Sequence, residues 1–170
     1  LKKLWKGDFL LIVVLDAGHG GRDPGAVYDG LYEKDITLDL CKRIKNLVEA
    51  ATNKVTVLLT RNDDDFISLS ERCQFANGAN ADYFISIHVN AGGGTGIESY
   101  TYNYVPQRTI KMNREYHANL VGMLAYSDRG LKHKNMQVLR DTRMPAILIE
   151  NLFIDNESDR AALKDNGKIN

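Results

Sequence analysis

Four short apolar runs, Leu10 to Leu15, Val55 to Leu59, Tyr83 to Ile87 and Ala146 to Ile149, alternate along the chain with longer stretches whose apolar residues recur every three or four positions. The runs are rich in Val and Ile and are bounded by Gly or polar residues, the pattern of strands buried on both faces. Between the first two, Ile36, Leu40, Ile44, Leu47, Val48 and Ala51 make one stripe on a helix from about Lys34 to Ala50, with Asp35 as its N-cap or a first-turn acid. A second helix opens on a capping box of Ser68 and Glu71, buries Leu69, Cys73 and Ala76, and ends near Gly78. Met112, Tyr116, Leu120, Met123 and Leu124 mark a third helix that stops before Gly130. Ile97 to Asn103 alternates as a further strand, and Gln137 to Arg140 reads as a short one.

Strands separated by helices of this length run parallel, because a crossover is needed to bring the chain back to the edge where the last strand began. The prediction is an α/β fold: a single domain spanning residues 1–170, with a mostly parallel sheet and helices on both faces. A chain of this size removes roughly 70% of its unfolded surface from water, so one core suffices. No repeat, low-complexity tract or Pro-rich linker interrupts the alternation.

Charge and composition remove several function classes. Twenty-two basic and twenty-two acidic residues cancel, leaving no net field to gather the chain onto nucleic acid or an anionic membrane. The run from Phe9 to Leu15 is too short to span a bilayer. Lys2, Lys3 and Lys6 before it suggest a signal peptide, but Asp16 follows at once and no small-residue cleavage pattern appears, so the run is read as a strand. Export is therefore not legible, and localisation has to follow from the substrate. Cys41 and Cys73, with no Cys-x-x-Cys spacing, read as small buried apolar groups rather than a disulfide or metal ligands.

The chemistry gathers where the strands finish, the edge at which open parallel sheets place their sites. His19 follows the first strand in Asp16-Ala17-Gly18-His19-Gly20-Gly21, and His88 ends another in Ser86-Ile87-His88-Val89-Asn90. Glu33 stands just before the first helix and Glu150 ends the last buried run. Two imidazoles and one carboxylate match the ligand set of catalytic zinc, which keeps a fourth position open. The carboxylate left over, Glu150, can carry a proton from an attacking water to a leaving nitrogen.

Each of these residues has a blander rival. A lone histidine after a strand is more often a hydrogen-bonded structural residue, so the metal reading rests on the four together. The glycines around His19 resemble a phosphate loop, yet Asp23 replaces the third Gly of a dinucleotide fingerprint, Pro24 follows, and no Gly-Lys-Ser/Thr occurs. His117 and His133 read as boundary or surface residues, and Asp63-Asp64-Asp65 as a solvated turn rather than a calcium loop. Tyr100, Tyr102 and Tyr104 would share one strand face, serving packing rather than glycan stacking.

From Val13 to Leu163 the chain resembles the zinc-dependent N-acetylmuramoyl-L-alanine amidases of the amidase-3 type. The resemblance is carried by Leu15-Asp16-Ala17-Gly18-His19-Gly20-Gly21 with Asp23-Pro24-Gly25-Ala26, then Glu33-Lys34-Asp35, Leu59-Thr60-Arg61 and Leu69-Ser70-Glu71-Arg72. Phe84-Ile85-Ser86-Ile87-His88-Val89-Asn90-Ala91, Asp128-Arg129-Gly130-Leu131-Lys132, Val138-Leu139-Arg140, Met144-Pro145-Ala146 and Ile149-Glu150 with Phe153-Ile154-Asp155-Asn156 continue it in order.

The resemblance implies a roughly six-stranded sheet, one zinc ion on His19, Glu33 and His88, and Glu150 as the catalytic carboxylate. It implies a peptidoglycan substrate, cut between N-acetylmuramic acid and L-alanine, and so a place at the bacterial cell wall, outside the cell or reached from within by a phage lysin. Rivals are another zinc peptidase of the stem peptide and a wall-binding module that has lost turnover. Some members carry a long helical insertion after the second histidine motif; here only Gly92 to Thr95 stand between Ala91 and Gly96. An open site needing no activator protein is therefore expected, on a monomer with no nucleic-acid partner and no membrane span. The family continues past the Asp155-Asn156 block into a terminal helix, whereas this chain stops at Asn170, so the helix is expected to be missing or cut away.

Overall fold

A computed structural model describes residues 10–124 and 126–164; Lys2, Lys3 and Lys6, and the stretch Asp165-Asn166-Gly167, lie outside them. The predicted runs become the strands β1 (Leu11–Ala17), β4 (Val55–Leu59), β5 (Tyr83–Asn90), β6 (Ile97–Thr101) and β8 (Ala146–Phe153), joined by β7 (Asp128–His133) in one six-stranded sheet. The order is β4-β1-β5-β8-β6-β7. All neighbours run parallel except β6 and β8, so the sheet is mostly parallel as predicted. A separate hairpin, β2 (Val27–Tyr28) with β3 (Leu31–Tyr32), turns through Asp29 and Gly30, both at positive φ; Asp-Gly favours that turn.

Two apolar layers follow from the alternation of side chains on the strands. One face carries Leu15, Ile85, Ile87, Ile147 and Ile149 against the helices α1 (Glu33–Ala51) and α3 (Gln107–Leu124). The other carries Val14, Phe84, Ala146 and Leu148 against α2 (Leu69–Gly78) and α4 (Gln137–Arg140). Helices thus cover both faces. Ser68 accepts from the Glu71 amide while the Glu71 carboxylate accepts from Ser68, so the capping box forms. Asp35 lies in the first turn of α1, whose N-cap is Tyr32. Cys41 and Cys73 are free and buried.

Several expectations need correction. Gln137 to Arg140 is one helical turn, α4, which buries Val138 and Leu139 on the second layer. Four residues carry too little periodicity to tell strand from helix. β7 is a strand that hydrophobic alternation does not announce, because it is a polar edge strand with exposed side chains along much of its length. Of the three tyrosines, Tyr100 and Tyr102 pack on the second layer, whereas β6 ends at Thr101 and Tyr104 is exposed. His117 is buried, not at the surface: it stands between Ser99 Oγ, 3.0 Å from Nδ1, and Asp128 Oδ1, 2.7 Å from Nε2. A helix does follow Asp155-Asn156, α5 (Glu157–Lys164), with Ala162 and Leu163 in the first layer.

Candidate metal centre

His19, Glu33 and His88 meet at the C-terminal edge of the sheet, with donor atoms within 4.8 Å of one another. His19 leaves β1 with φ 61°, a left-handed conformation that bulky residues seldom adopt. Its Nε2 lies 3.1 Å from Glu33 Oε2, and His88 Nδ1 lies 2.9 Å from Glu33 Oε1. Two glycines make the approach possible. A side chain on Gly18 would collide with the His88 imidazole, and a Cβ on Gly25, at φ 65°, would come within 2.6 Å of Glu33 Oε2.

Glu33 is buried, yet both its oxygens are satisfied: Oε1 accepts from the Val89 amide at 2.9 Å and Oε2 from the Ala26 amide at 2.8 Å. Burial raises the carboxyl's pKa, but hydrogen bonds from His19 and His88 outweigh it and hold the group well below the usual carboxylate range. Burial likewise opposes charge on His19, while Glu33 and Asp23 oppose that more strongly, so its pKa is pushed up to about 9. Asp23 Oδ2 stands 2.9 Å from His19 Nδ1. That carboxylate fixes the imidazole with Nδ1 as donor and Nε2 turned inward, the support that metal-binding histidines ordinarily have.

A rigid platform lies beneath. Asp16 Oδ1 takes the Arg72 guanidinium at 2.7 Å and the Thr60 hydroxyl at 2.8 Å, and its Oδ2 takes the Ser86 hydroxyl. Arg72 also donates to the carbonyls of Ala17 and His19, while Arg61 donates to those of Ala17, Gly18 and Lys34. Two buried arginines thereby pin the loop that carries His19 to the start of α1. Burial acts to raise the pKa of Asp16, but Arg72 and the two hydroxyls lower it further and keep it ionised. The acidic run is a turn, as expected, and its Asp64 ties down the same loop through Lys34 at 2.6 Å and the Gly21 amide at 2.8 Å.

Glu150 pairs in register with His88 across β8 and β5, and it lines a cleft of about 600 Å³ together with both histidines. Phe66, Ile67, Leu69 and Met136 form the apolar wall of that cleft. Burial, reinforced by Glu33 and Glu98 against the opposing charge of His88, pushes the Glu150 pKa up to about 7. The four residues singled out in the sequence thus share one edge. Asp23, Asp16, Arg61 and Arg72 were not singled out as site residues, although all four stand within the stretches that carry the resemblance. Ser99, His117 and Asp128 also make a hydroxyl–imidazole–carboxylate chain, but Ser99 is fully buried and none of the three lines the cleft, so no acyl carbon can reach it.

The donor set suits a small divalent ion. Two imidazole nitrogens and one carboxylate oxygen lie within 4.8 Å of one another, near enough to converge on one ion with ligand bonds of about 2.0–2.1 Å. Two nitrogens and one carboxylate oxygen, with a further carboxylate on the same cleft, are the donor types of an open metal site rather than of a closed structural one.

Comparison with known proteins places this architecture. Residues 13–169 match the family model described as N-acetylmuramoyl-L-alanine amidase, and the chain belongs to that family. It is 43% identical over 152 residues to the sporulation-specific N-acetylmuramoyl-L-alanine amidase of Bacillus subtilis, covering 89% of this chain and 60% of that protein's length. The crystal structure of an N-acetylmuramoyl-L-alanine amidase from Clostridium difficile 630 superposes with a TM-score of 0.90 at 32% identity, covering 96% of this chain and 90% of that one. The CwlD amidase of Clostridioides difficile, solved in complex with the GerS lipoprotein, superposes with a TM-score of 0.84 at 28% identity, covering 91% and 88%. No helix among the described residues is long and apolar enough to cross a membrane.

Proposed function

We propose that this chain hydrolyses the amide between the lactyl group of N-acetylmuramic acid and L-alanine in peptidoglycan, with one zinc ion held by His19, Glu33 and His88 and with Glu150 as the proton carrier. The observation that carries the reading is the three-residue donor cluster with Glu150 one strand away on the same cleft. Zinc in that cluster would supply Lewis acidity, polarising the amide carbonyl and making water acidic enough to deprotonate near neutrality.

The chain's own residues do the rest. Glu150 accepts the proton of the attacking water as the new C–O bond forms. It returns that proton to the alanine nitrogen as the C–N bond breaks, leaving a lactyl carboxylate and a free amine. A carboxyl with a pKa near 7 can serve as base and then as acid at neutral pH. Asp23 keeps His19 in the tautomer that turns Nε2 inward. The apolar wall excludes bulk water from one side of the reacting amide.

Action at the cell wall follows from this substrate. The short connection Gly92 to Thr95 supports an accessible site that needs no activator. The test is digestion of purified wall by the isolated protein loaded with zinc. New N-terminal L-alanine is expected, and Glu150→Gln should lower turnover by about 10²–10⁴-fold while leaving zinc content unchanged. Other new N-termini would indicate a stem peptidase, new reducing ends a glycosidase, and an inert zinc-loaded protein a binding module or a requirement for an activator.

A further inference from the structure

Glu98 is the least expected charge in the molecule. It is buried in β6 and lies in register with Glu150 on β8, which in turn lies in register with His88 on β5. The three residues make one row across the sheet, with neighbouring strands roughly 4.8 Å apart. Every partner of Glu98 is accounted for. Its Oε1 accepts from Asn90 Nδ2 at 2.9 Å and from the Tyr100 hydroxyl at 2.6 Å; its Oε2 accepts from Arg129 Nε at 2.7 Å and Lys132 Nζ at 2.5 Å. Burial of Glu98 raises its pKa, but these donors prevail and hold it down at about 2, so the carboxylate is ionised at neutral pH.

One carboxylate is shared by two cations, and both cations reach solvent: the Arg129 side chain is 35% exposed and that of Lys132 38%. Arg129 is further fixed by stacking its guanidinium 4.7 Å from the centre of the Phe153 ring, and Lys132 by lying over Tyr100. Long side chains ordinarily lose rotamer freedom on binding a ligand. Here Arg129 is held by Glu98 and Phe153, Lys132 by Glu98 and Tyr100, and the two cations outnumber the one carboxylate between them. A buried carboxylate on β6, the strand next to the edge, has a desolvation cost. The cluster's arrangement is that of a prepared anion site.

We propose that Arg129 and Lys132, anchored on the buried Glu98, form a subsite for a free carboxylate on the second residue of the stem peptide. The inference rests on the amidase reading above. An extended residue spans at most about 3.6 Å, so a carboxylate two residues beyond the scissile carbonyl lies roughly 7–10 Å from it. The row from His88 past Glu150 to Glu98 covers two strand spacings, a matching distance. Peptide leaving the metal centre across Glu150 would meet the two cations, and the sugar would lie toward the apolar wall of Phe66, Leu69 and Met136.

The test compares two N-acetylmuramoyl peptides that differ only in the second residue, D-isoglutamate with a free α-carboxylate or D-isoglutamine with that group amidated. The zinc-loaded wild type should show a KM about tenfold or more lower for the free acid. Arg129→Gln with Lys132→Gln should abolish that ratio, and Arg129→Lys with Lys132→Arg should restore most of it. Calorimetry of the metal-free protein with L-alanyl-D-isoglutamate against L-alanyl-D-isoglutamine should show the same preference without turnover. Equal KM values in the wild type overturn the subsite while leaving the amidase reading standing. A double variant that lowers kcat on both peptides alike and keeps the KM ratio also overturns it, assigning the cations to positioning alone. Wild-type protein that cleaves neither peptide nor wall overturns both readings.

Discussion

At the scale of single residues the account depends on protons as much as on geometry. In the metal-free protein His19 carries its proton to about pH 9, held by Glu33 and Asp23 against burial. A pKa raised above the ordinary 6.5 stabilises the fold fully below about pH 6.5, and that contribution is lost as pH rises through about 9. Zinc must displace the same proton, so affinity should climb about tenfold per pH unit from 7 toward 9 and then level off. Competition with a chelator across that range measures it, and a flat profile would mean that the imidazole is already neutral. Asp23→Asn removes the charge that orients His19 and should weaken zinc binding by about 10–100-fold with little change in thermal midpoint.

Among the elements, rigidity comes from the two buried arginines. Arg72 joins α2 to the end of β1 through Asp16 and to the His19 loop through its carbonyl. Arg72→Met leaves the Asp16 carboxylate buried without its cation and should cost about 3–5 kcal/mol, read as a large fall in denaturation midpoint. A midpoint within error of wild type would show that Ser86 and Thr60 suffice. This platform was hidden in the sequence because its contacts join residues 27 to 70 positions apart, and no local pattern encodes such pairing. The strands, by contrast, were legible from their Val and Ile runs, as were the first three helices from their stripes, although Leu47, Leu69 and Met123 of those stripes are exposed rather than buried. α4 was too short to show a period, β7 too polar to show an alternation, and the buried state of His117 depends on Ser99 and Asp128 from other elements. His19, Glu33, His88 and Glu150 stood out because strand ends in such a sheet converge, a consequence of topology rather than of any one motif.

For the whole molecule, the sheet order brings β1, β5, β8 and β6 side by side, so that His19, His88, Glu150 and Glu98 line one edge although they are spread over more than 130 residues of chain. On the proposed reading, metal ligands, proton carrier and the cations of β7 follow one another along that edge and would give the peptide a direction across the site. All of this presupposes that the three donors grip one ion. The direct measurement is metal content of the protein purified without chelator, for the wild type, Glu33→Gln, His88→Ala and Glu150→Gln, with folding checked by circular dichroism. One zinc per chain is predicted in the wild type and in Glu150→Gln, with loss in the two ligand variants while they remain folded. Wild-type protein that takes up no zinc, or ligand variants that retain it in full, would contradict the account.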